Sequence, residues 1–354
     1  MKKSLLALAI LGAFAGAASA QSSVTVYGLV DTGFTSIDQG GEDGTGFGRT
    51  NGISSGNDGA SRIGFKGVED LGNGLKAEFT LENGFDSDTG EGKDSMAFSR
   101  LAFVGLDGGF GKVRLGRQNT QVKDMLGQID PFGAAGMVNS VDFINGGGLD
   151  QRNPNQIVWL SNNYSGFSGG LAYEFGESDT GTNDNSGYSA RLGYKNGPLN
   201  VQFAYQKAKL DADPVTASDK NALLGATYDF GAVKLHGIYG ERKLAADDGV
   251  VSLDDKIRSA LIGVTVPMGA SKIRAEYIRN DNKDIDDADS NVWAVSYTYA
   301  MSKRTHLYAT YVRTSNDDNS GLGIGGPFSA DDLAAGAPLG ESASGVAIGI
   351  AHKF

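Results

Sequence analysis

Apolar and polar residues alternate one by one through many segments of this chain. At positions 75–82, Leu, Ala, Phe and Leu occupy the odd positions, and Lys, Glu, Thr and Glu occupy the even ones. Similar alternation recurs at 171–175, 199–206 and 293–299. A period of two places successive side chains on opposite faces of a strand. The pattern predicts many strands, each with one apolar face and one polar face.

The connections between these strands alternate between tight turns and longer polar segments. Seven short connections rich in turn-forming residues lie at 70–74, 107–111, 165–169, 196–198, 229–232, 267–271 and 300–304. Eight longer connections lie at 38–60, 86–95, 118–153, 177–186, 210–219, 244–254, 281–290 and 316–342. These fifteen connections join sixteen strands and leave both chain ends on the short-turn side. The first and last strands can therefore pair and close a barrel.

The N-terminal segment and the composition indicate an exported protein. Two lysines, an apolar stretch over 5–17 and Ala18-Ser19-Ala20 predict a signal peptide over 1–20, with 21–354 as the mature chain. No later segment has the roughly 18 uninterrupted apolar residues of a membrane-spanning helix. The chain has no cysteine, which excludes disulfides and thiolate metal sites. Beyond residue 20 it has 29 basic and 42 acidic residues, which argues against nucleic-acid binding.

These features together predict an all-β fold, a 16-stranded antiparallel transmembrane β-barrel. Strands of about 10 residues suffice to cross the apolar band of an outer membrane, and a barrel of this size leaves a water-filled lumen. Aromatic residues near the strand ends are expected to form girdles at the two membrane interfaces. They are Tyr27, Phe65, Phe103, Tyr194, Tyr228, Phe230, Tyr277, Tyr311 and Phe354.

Four segments of the chain resemble the general porins of Gram-negative outer membranes, especially the trimeric sixteen-stranded porins of beta-proteobacteria. They are SVTVYG at 23–28, SRIGFKGVEDLG at 61–72, GFGKVRLGRQ at 109–118 and GIAHKF at 349–354. The resemblance implies a homotrimer through which small hydrophilic solutes and ions diffuse, with the third long loop folded inward. We also expect contacts with outer-membrane lipid and lipopolysaccharide, and recognition of Phe354 by the barrel assembly machinery. No cofactor and no metal are expected.

The third long loop, at 119–153, is the expected constriction of the channel. It is the longest connection and has many apolar residues, which need a surface to pack against, and the inside of the barrel provides one. Its Asp124, Asp130, Asp142 and Asp150 would then bring negative charge into the lumen. A flexible surface loop is the alternative.

A basic wall is expected to face this loop. The resemblance implies Arg62, Arg100 and Arg152 as its residues, and alternation on the polar faces adds Lys66 and Arg114. For Arg100, the expectation is that neighbouring Leu101 and Phe103 point outward. Arginines facing carboxylates across a narrow pore create a transverse field that filters ions by charge. The alternative is that these arginines are solvated lumen residues without a selective role.

The polar faces of the predicted strands are more basic than acidic, although the whole chain is acidic. The basic residues are Arg62, Lys66, Lys76, Arg100, Lys112, Arg114, Arg191, Lys195, Lys234, Lys272 and Arg274, and the acidic ones are Glu78, Glu82, Glu174, Asp229 and Glu276. Because the narrowest section controls selectivity, we expect a weak preference for anions.

Other functions remain as alternatives to a non-specific diffusion channel. A solute-specific channel is the nearest, followed by an outer-membrane enzyme or an adhesin. The chain is not expected to be an enzyme, because His236, His306 and His352 lie on separate predicted strands and form no catalytic or metal set. The Gly-x-Gly-x-x-Gly at 321–326 lacks the strand and helix that dinucleotide binding requires.

Overall fold

The computed structural model describes residues 23–42, 47–93, 96–147, 149, 151–176, 186–212, 215–247, 252–325 and 336–354. The predicted signal peptide at 1–20 and Asp150 lie outside these residues. Within the described ranges, no helix is long and apolar enough to cross a membrane.

Strands make up most of the described chain. They are β1 (Ser23–Asp38), β2 (Arg49–Ser55), β3 (Arg62–Gly72), β4 (Leu75–Gly84), β5 (Leu101–Gly108), β6 (Gly111–Asn119), β7 (Arg152–Leu160), β8 (Phe167–Glu174), β9 (Gly187–Asn196), β10 (Leu199–Ala212), β11 (Val215–Asp229), β12 (Lys234–Asp247), β13 (Ser252–Met268), β14 (Ser271–Asn282), β15 (Ser290–Ala300), β16 (Thr305–Asn316) and β17 (Ser344–Lys353). Two α-helices, α1 (Gln121–Ile129) and α2 (Ser140–Phe143), lie between β6 and β7, with 3-10 turns at Gly136–Val138 and Ile144–Gly147.

The strands form one closed antiparallel sheet. Consecutive strands from β3 to β17 pair with each other, and β17 pairs with β1. Strand β1 also pairs with β2 along its second half and with β3 along its first half. Strands β2 and β3 thus occupy one position in the barrel, which gives sixteen positions. The prediction of a sixteen-stranded antiparallel barrel is confirmed.

Three of the predicted long connections were wrong in part. The connection at 38–60 contains β2, whose seven residues continue the pairing with β1. At 210–219 and 244–254 the flanking strands continue further, to the pairs Ala212↔Val215 and Asp247↔Ser252. Outside the hydrocarbon layer neither face of a strand needs to be apolar. The alternation of apolar and polar residues therefore stops there, while backbone hydrogen bonding between strands continues. Alternation therefore underestimates strand length on this side.

The outer surface of the barrel is apolar, as contact with hydrocarbon requires. Exposed apolar side chains are present on the outward faces of strands around the barrel, among them Phe34, Ile63, Val104, Leu115, Ile157, Leu171, Leu192, Phe203, Leu224, Ile262 and Trp293. The most deeply buried apolar side chains instead lie mainly between β6 and β7, including Met125, Leu126, Ile129, Phe143 and Ile144. The interior of the barrel therefore contains the packed core.

Two aromatic residues that the sequence predicts in the outer girdles, Tyr27 and Phe103, face the lumen instead. The hydroxyl of Tyr27 donates to Glu82 at 2.8 Å. Phe103 is buried and pairs with Thr80 of β4, and the Arg114 guanidinium lies 4.6 Å from its ring centroid. The expectation that Leu101 and Phe103 point outward was therefore wrong. The chain at 96–100 is irregular, so alternation cannot be extended from Arg100 into β5.

Candidate functional site

The constriction loop, predicted at 119–153, folds into the barrel in its described part between β6 and β7. Its helix α1 begins where the Thr120 side chain accepts a hydrogen bond from the Lys123 backbone N–H at 3.2 Å. The buried face of α1 includes Val122, Met125, Leu126 and Ile129. A Cβ placed on Gly225 of β11 would lie 2.8 Å from the Met125 side chain, so a glycine in the wall allows the helix to approach this closely.

The second half of the constriction loop is hydrogen-bonded to the wall. The Asn145 backbone N–H donates to Ser259 Oγ at 2.8 Å, and its side-chain amide donates to Asn221 Oδ1 at 2.9 Å. Asn280 Nδ2 donates to the Phe143 carbonyl at 2.9 Å. These three contacts reach β11, β13 and β14, so the prediction of an inward-folded third loop is confirmed.

A second inward segment, residues 56–61, lies between β2 and β3 and was missed from the sequence. The Asp58 carboxylate accepts from His306 Nε2 of β16 at 2.9 Å and forms an ion pair with Arg274 of β14. The carbonyl of Asn57 accepts from the Met137 backbone N–H at 2.8 Å, which connects the segment to the constriction loop. Burial raises the pKa of Asp58, but the hydrogen bonds from His306 and Arg274 outweigh it and leave the pKa below its ordinary value. The carboxylate is therefore ionised and accepts from both partners.

Two of the predicted arginines surround one buried carboxylate. Arg100 Nε lies 2.6 Å from Glu82 Oε1, and Arg62 Nε lies 3.7 Å from Glu82 Oε2. Arg62 also donates to the Ala60 carbonyl at 2.9 Å. Glu82 compensates about one of these two positive charges, so the pair keeps a net positive charge.

Arg62, Arg100 and Arg152 come together at a cavity of about 740 Å³ between the wall and the constriction loop. Lys93 and Lys123, which sequence reasoning missed, line the same cavity. Lys93 Nζ forms an ion pair with Asp86 at 2.7 Å. Arg152 Nε is buried and has no hydrogen-bond partner within the described ranges. The cavity thus has five basic side chains around it.

The four predicted loop carboxylates have different positions. Asp124 and Asp142 line the cavity, and both accept hydrogen bonds, Asp124 from Asn119 and Asp142 from Asn139. Asp130 does not line it, because its carboxylate is buried and accepts from the Phe132 and Ala134 backbone N–H groups at 2.7 and 2.8 Å. An aspartate that follows a helix and precedes proline is a signal for such a turn. Asp150 lies outside the described residues.

Lys66 and Arg114 are inward-facing but do not line the cavity. Arg114 Nε forms an ion pair with Glu78 at 2.7 Å, and Lys66 Nζ lies 5.1 Å from the centroid of the Tyr27 ring. Both residues are nearer than Arg62 and Arg100 to the short turns that end β3 and β5. They lie on the lumen side of the wall toward that end of the barrel.

Burial shifts the pKa values of two ionisable side chains that line the cavity, Asp142 and Lys123. Burial raises the pKa of the Asp142 carboxyl above its ordinary value. Burial, together with the nearby Arg152, lowers the pKa of Lys123 to about 8. Lys123 therefore loses its proton as the pH rises through about 8.

This shift predicts that ion selectivity depends on pH. As pH rises from about 7 to about 9, Lys123 releases its proton and the cavity loses one positive charge, so the expected preference for anions should weaken. Reversal potentials measured across this range in a planar bilayer test the prediction. In Lys123→Gln the preference should be lower at about pH 7 and flat through the range. An unchanged pH profile in the variant would exclude Lys123 as its source.

A closed barrel with a charged constriction inside defines a membrane diffusion channel, and comparisons with known proteins agree. A family model described as Gram-negative porin matches residues 7–319. The chain is 37% identical to outer membrane porin protein 32 of Delftia acidovorans, with 100% of both chains covered. It is 35% identical to an outer membrane porin protein of Bordetella pertussis, with 87% of this chain and 93% of the other covered.

A solved structure gives the same result. The anion-selective porin from Comamonas acidovorans superposes with a TM-score of 0.83 at 31% identity, covering 94% of this chain and 100% of that one. The chain belongs to the Gram-negative porin family. It is an outer-membrane protein that functions as a passive channel for solutes and not as an enzyme.

Proposed function

We propose that this porin passes small hydrophilic solutes and ions with a preference for anions. The observation that supports the proposal is the excess of basic over acidic side chains around the 740 Å³ cavity, with Arg62, Lys93, Arg100, Lys123 and Arg152 against Asp124 and Asp142. A fixed positive potential concentrates anions and excludes cations at the narrowest section. The Comamonas acidovorans relative is an anion-selective porin, which agrees with the proposal.

The reversal potential in a potassium chloride gradient tests the proposal. Purified protein is inserted into a planar bilayer, and the sign of the zero-current potential gives the ratio of chloride to potassium permeability. We expect chloride to be more permeant, with the ratio falling as ionic strength rises, because salt screens the fixed charges. A potential of the opposite sign would refute anion preference but leave the channel itself intact.

A solute-specific channel is a second candidate, because Arg152 Nε is buried without a hydrogen-bond partner among the described residues and lies beside four other cations. Such an arrangement favours an oxyanion with several acceptor oxygens. Inorganic phosphate added to the bilayer chamber should then block chloride current in a saturable manner. Block that rises linearly with phosphate concentration would indicate simple competition in a non-specific pore.

Further proposals concern assembly and chain organisation. Residues 1–20 are proposed as a signal peptide and 119–153 as the constriction loop of the mature barrel. The assembled protein is proposed to be a homotrimer surrounded by outer-membrane lipid and lipopolysaccharide. Phe354, whose backbone exchanges hydrogen bonds with Gly28 at the closure of the barrel, is proposed as the contact for the barrel assembly machinery. Conductance steps that occur in groups of three would support the trimer.

A further inference from the structure

Four lysines lie opposite one another on adjacent strands. The strand register pairs Lys207 with Lys220, Lys220 with Lys243, and Lys243 with Lys256. Directly opposed residues of antiparallel strands have Cβ atoms about 4.5–5.5 Å apart, and like charges in such pairs destabilise a sheet. Three consecutive pairs of this kind, here called the lysine row, are unfavourable unless an anion compensates them.

The lysine row faces outward from the barrel. Each lysine is an even number of positions from an exposed apolar residue of its own strand, namely Phe203, Leu224, Tyr239 and Ile262 respectively. Side chains an even number apart share a face of a strand. The inward neighbours of Lys207, Gln206 and Ala208, are buried, in agreement with this orientation. The row is therefore separate from the lumen.

The position along the strands places the lysine row at the membrane surface. A tilted strand needs about 10 residues to cross the apolar band. Counted from the short-turn ends, Lys207 is the ninth residue of β10, and Lys220 and Lys243 are the tenth residues of β11 and β12. Tyr188, paired with Lys207, lies at the same level, and tyrosine is typical of the interface. Lys207, Lys220 and Lys243 thus lie at the level of the lipid headgroups, and Lys256, the thirteenth residue of β13 from its short-turn end, lies further out.

The protein compensates this row only at one end. Glu241 forms ion pairs with Lys243 at 3.5 Å and Lys256 at 3.0 Å, and also with Arg258 at 3.2 Å. One carboxylate is thus shared by three cations. The side chains of Lys207 and Lys220 have no hydrogen-bond or ion-pair partner in the part of the chain that the structure describes. The end at Lys207 and Lys220 is the one that needs an external anion.

We propose that the lysine row binds the phosphorylated headgroup of a lipopolysaccharide molecule in the outer leaflet. A headgroup phosphate between Lys207 and Lys220 would compensate both ammonium groups, and the acyl chains would lie against Phe203 and Leu224 below them. The inference rests on the outer-membrane location, because only there does this end of the barrel face a leaflet of phosphorylated glycolipid. Clusters of lysines at this level are typical of sites for anionic lipid headgroups.

Binding of fluorescent bisphosphorylated lipid A to the purified full-length protein in detergent tests this proposal. We expect Lys207→Gln/Lys220→Gln to bind about five- to thirtyfold more weakly than the natural protein. Lys207→Arg/Lys220→Arg should retain binding, because it keeps both charges. The matched control Lys303→Gln/Arg304→Gln removes two charges from the opposite, short-turn end and should bind like the natural protein.

A comparison of phosphorylated lipid A, dephosphorylated lipid A and inorganic phosphate distinguishes a lipid headgroup from free phosphate as the bound anion. Dephosphorylated lipid A should bind the natural protein as weakly as bisphosphorylated lipid A binds the Lys207→Gln/Lys220→Gln variant. Inorganic phosphate alone should not compete at concentrations comparable with the lipid. Equal binding of dephosphorylated lipid, full competition by inorganic phosphate, or equal loss in the control variant would each overturn the proposal. Conductance of Lys207→Gln/Lys220→Gln should be unchanged, so the result is independent of the proposed channel selectivity.

Discussion

Arg62→Glu/Arg152→Glu is expected to convert the channel from anion preference to cation preference. Both side chains line the 740 Å³ cavity, and the substitutions replace two of its positive charges with negative ones. In a water-like medium, a unit charge about 6 Å from an ion contributes about 0.7 kcal/mol, so each reversal changes the ion's energy by about 1.4 kcal/mol. This corresponds to roughly tenfold per site before salt screening reduces it.

The measurement is the ratio of chloride to potassium permeability from reversal potentials in a planar bilayer. Arg62→Lys/Arg152→Lys is the matched control, since it retains both charges and should retain anion preference. Arg62→Glu alone should shift the ratio toward potassium in the same direction by a smaller amount. If the double charge reversal leaves the permeability ratio unchanged, these arginines are solvated lumen residues without a role in selectivity.

Ile144→Asp is expected to release the constriction loop from the wall and widen the pore. Ile144 is fully buried, and its neighbours Phe143 and Asn145 carry the hydrogen bonds to Asn280 and Ser259. Removing the apolar side chain forfeits about 1.5–3 kcal/mol of burial, and a buried carboxylate without a cationic partner adds a larger cost. Because the barrel wall is closed by its own backbone hydrogen bonds, the loop should detach while the barrel stays folded.

Single-channel conductance reports this change. We expect Ile144→Asp to conduct roughly twofold more than the natural protein and to discriminate less between chloride and potassium. Ile285→Asp is the matched control, because Ile285 is exposed in the connection between β14 and β15 and should tolerate the same substitution. Equal conductance in both variants would mean that the loop does not limit the current.

Strands and topology were predictable because the membrane requires a period of two in every spanning segment. Positions 75–82 show this clearly, and the structure places Phe79 outside and Glu82 inside as the alternation predicts. The prediction failed where this requirement is absent. Strand β2 and the outer ends of β10 and β11 are paired by backbone hydrogen bonds that their side chains do not reveal.

The sequence predicts which charged residues of the site lie on polar faces, but it does not predict which partners they contact. The sequence indicates that Arg62 and Arg100 are on polar faces, but their shared partner Glu82 depends on how β3 and β4 are paired. Lys123 was missed because its place in the cavity depends on α1, which pattern reasoning treated as an irregular loop. Asp130 binds the backbone of the turn after α1 and does not face the cavity, and the sequence signal for this turn, an aspartate before proline, was not used in the prediction.

That the barrel encloses a water-filled pore narrowed by the constriction loop can be tested by experiment. Single-channel recording of the purified natural protein in a planar bilayer tests it most directly. The structure predicts discrete, stable conductance steps that grow in proportion to the conductivity of the bathing salt solution. A protein that inserts into the bilayer, as judged by protection from added protease, and yet passes no current would contradict it.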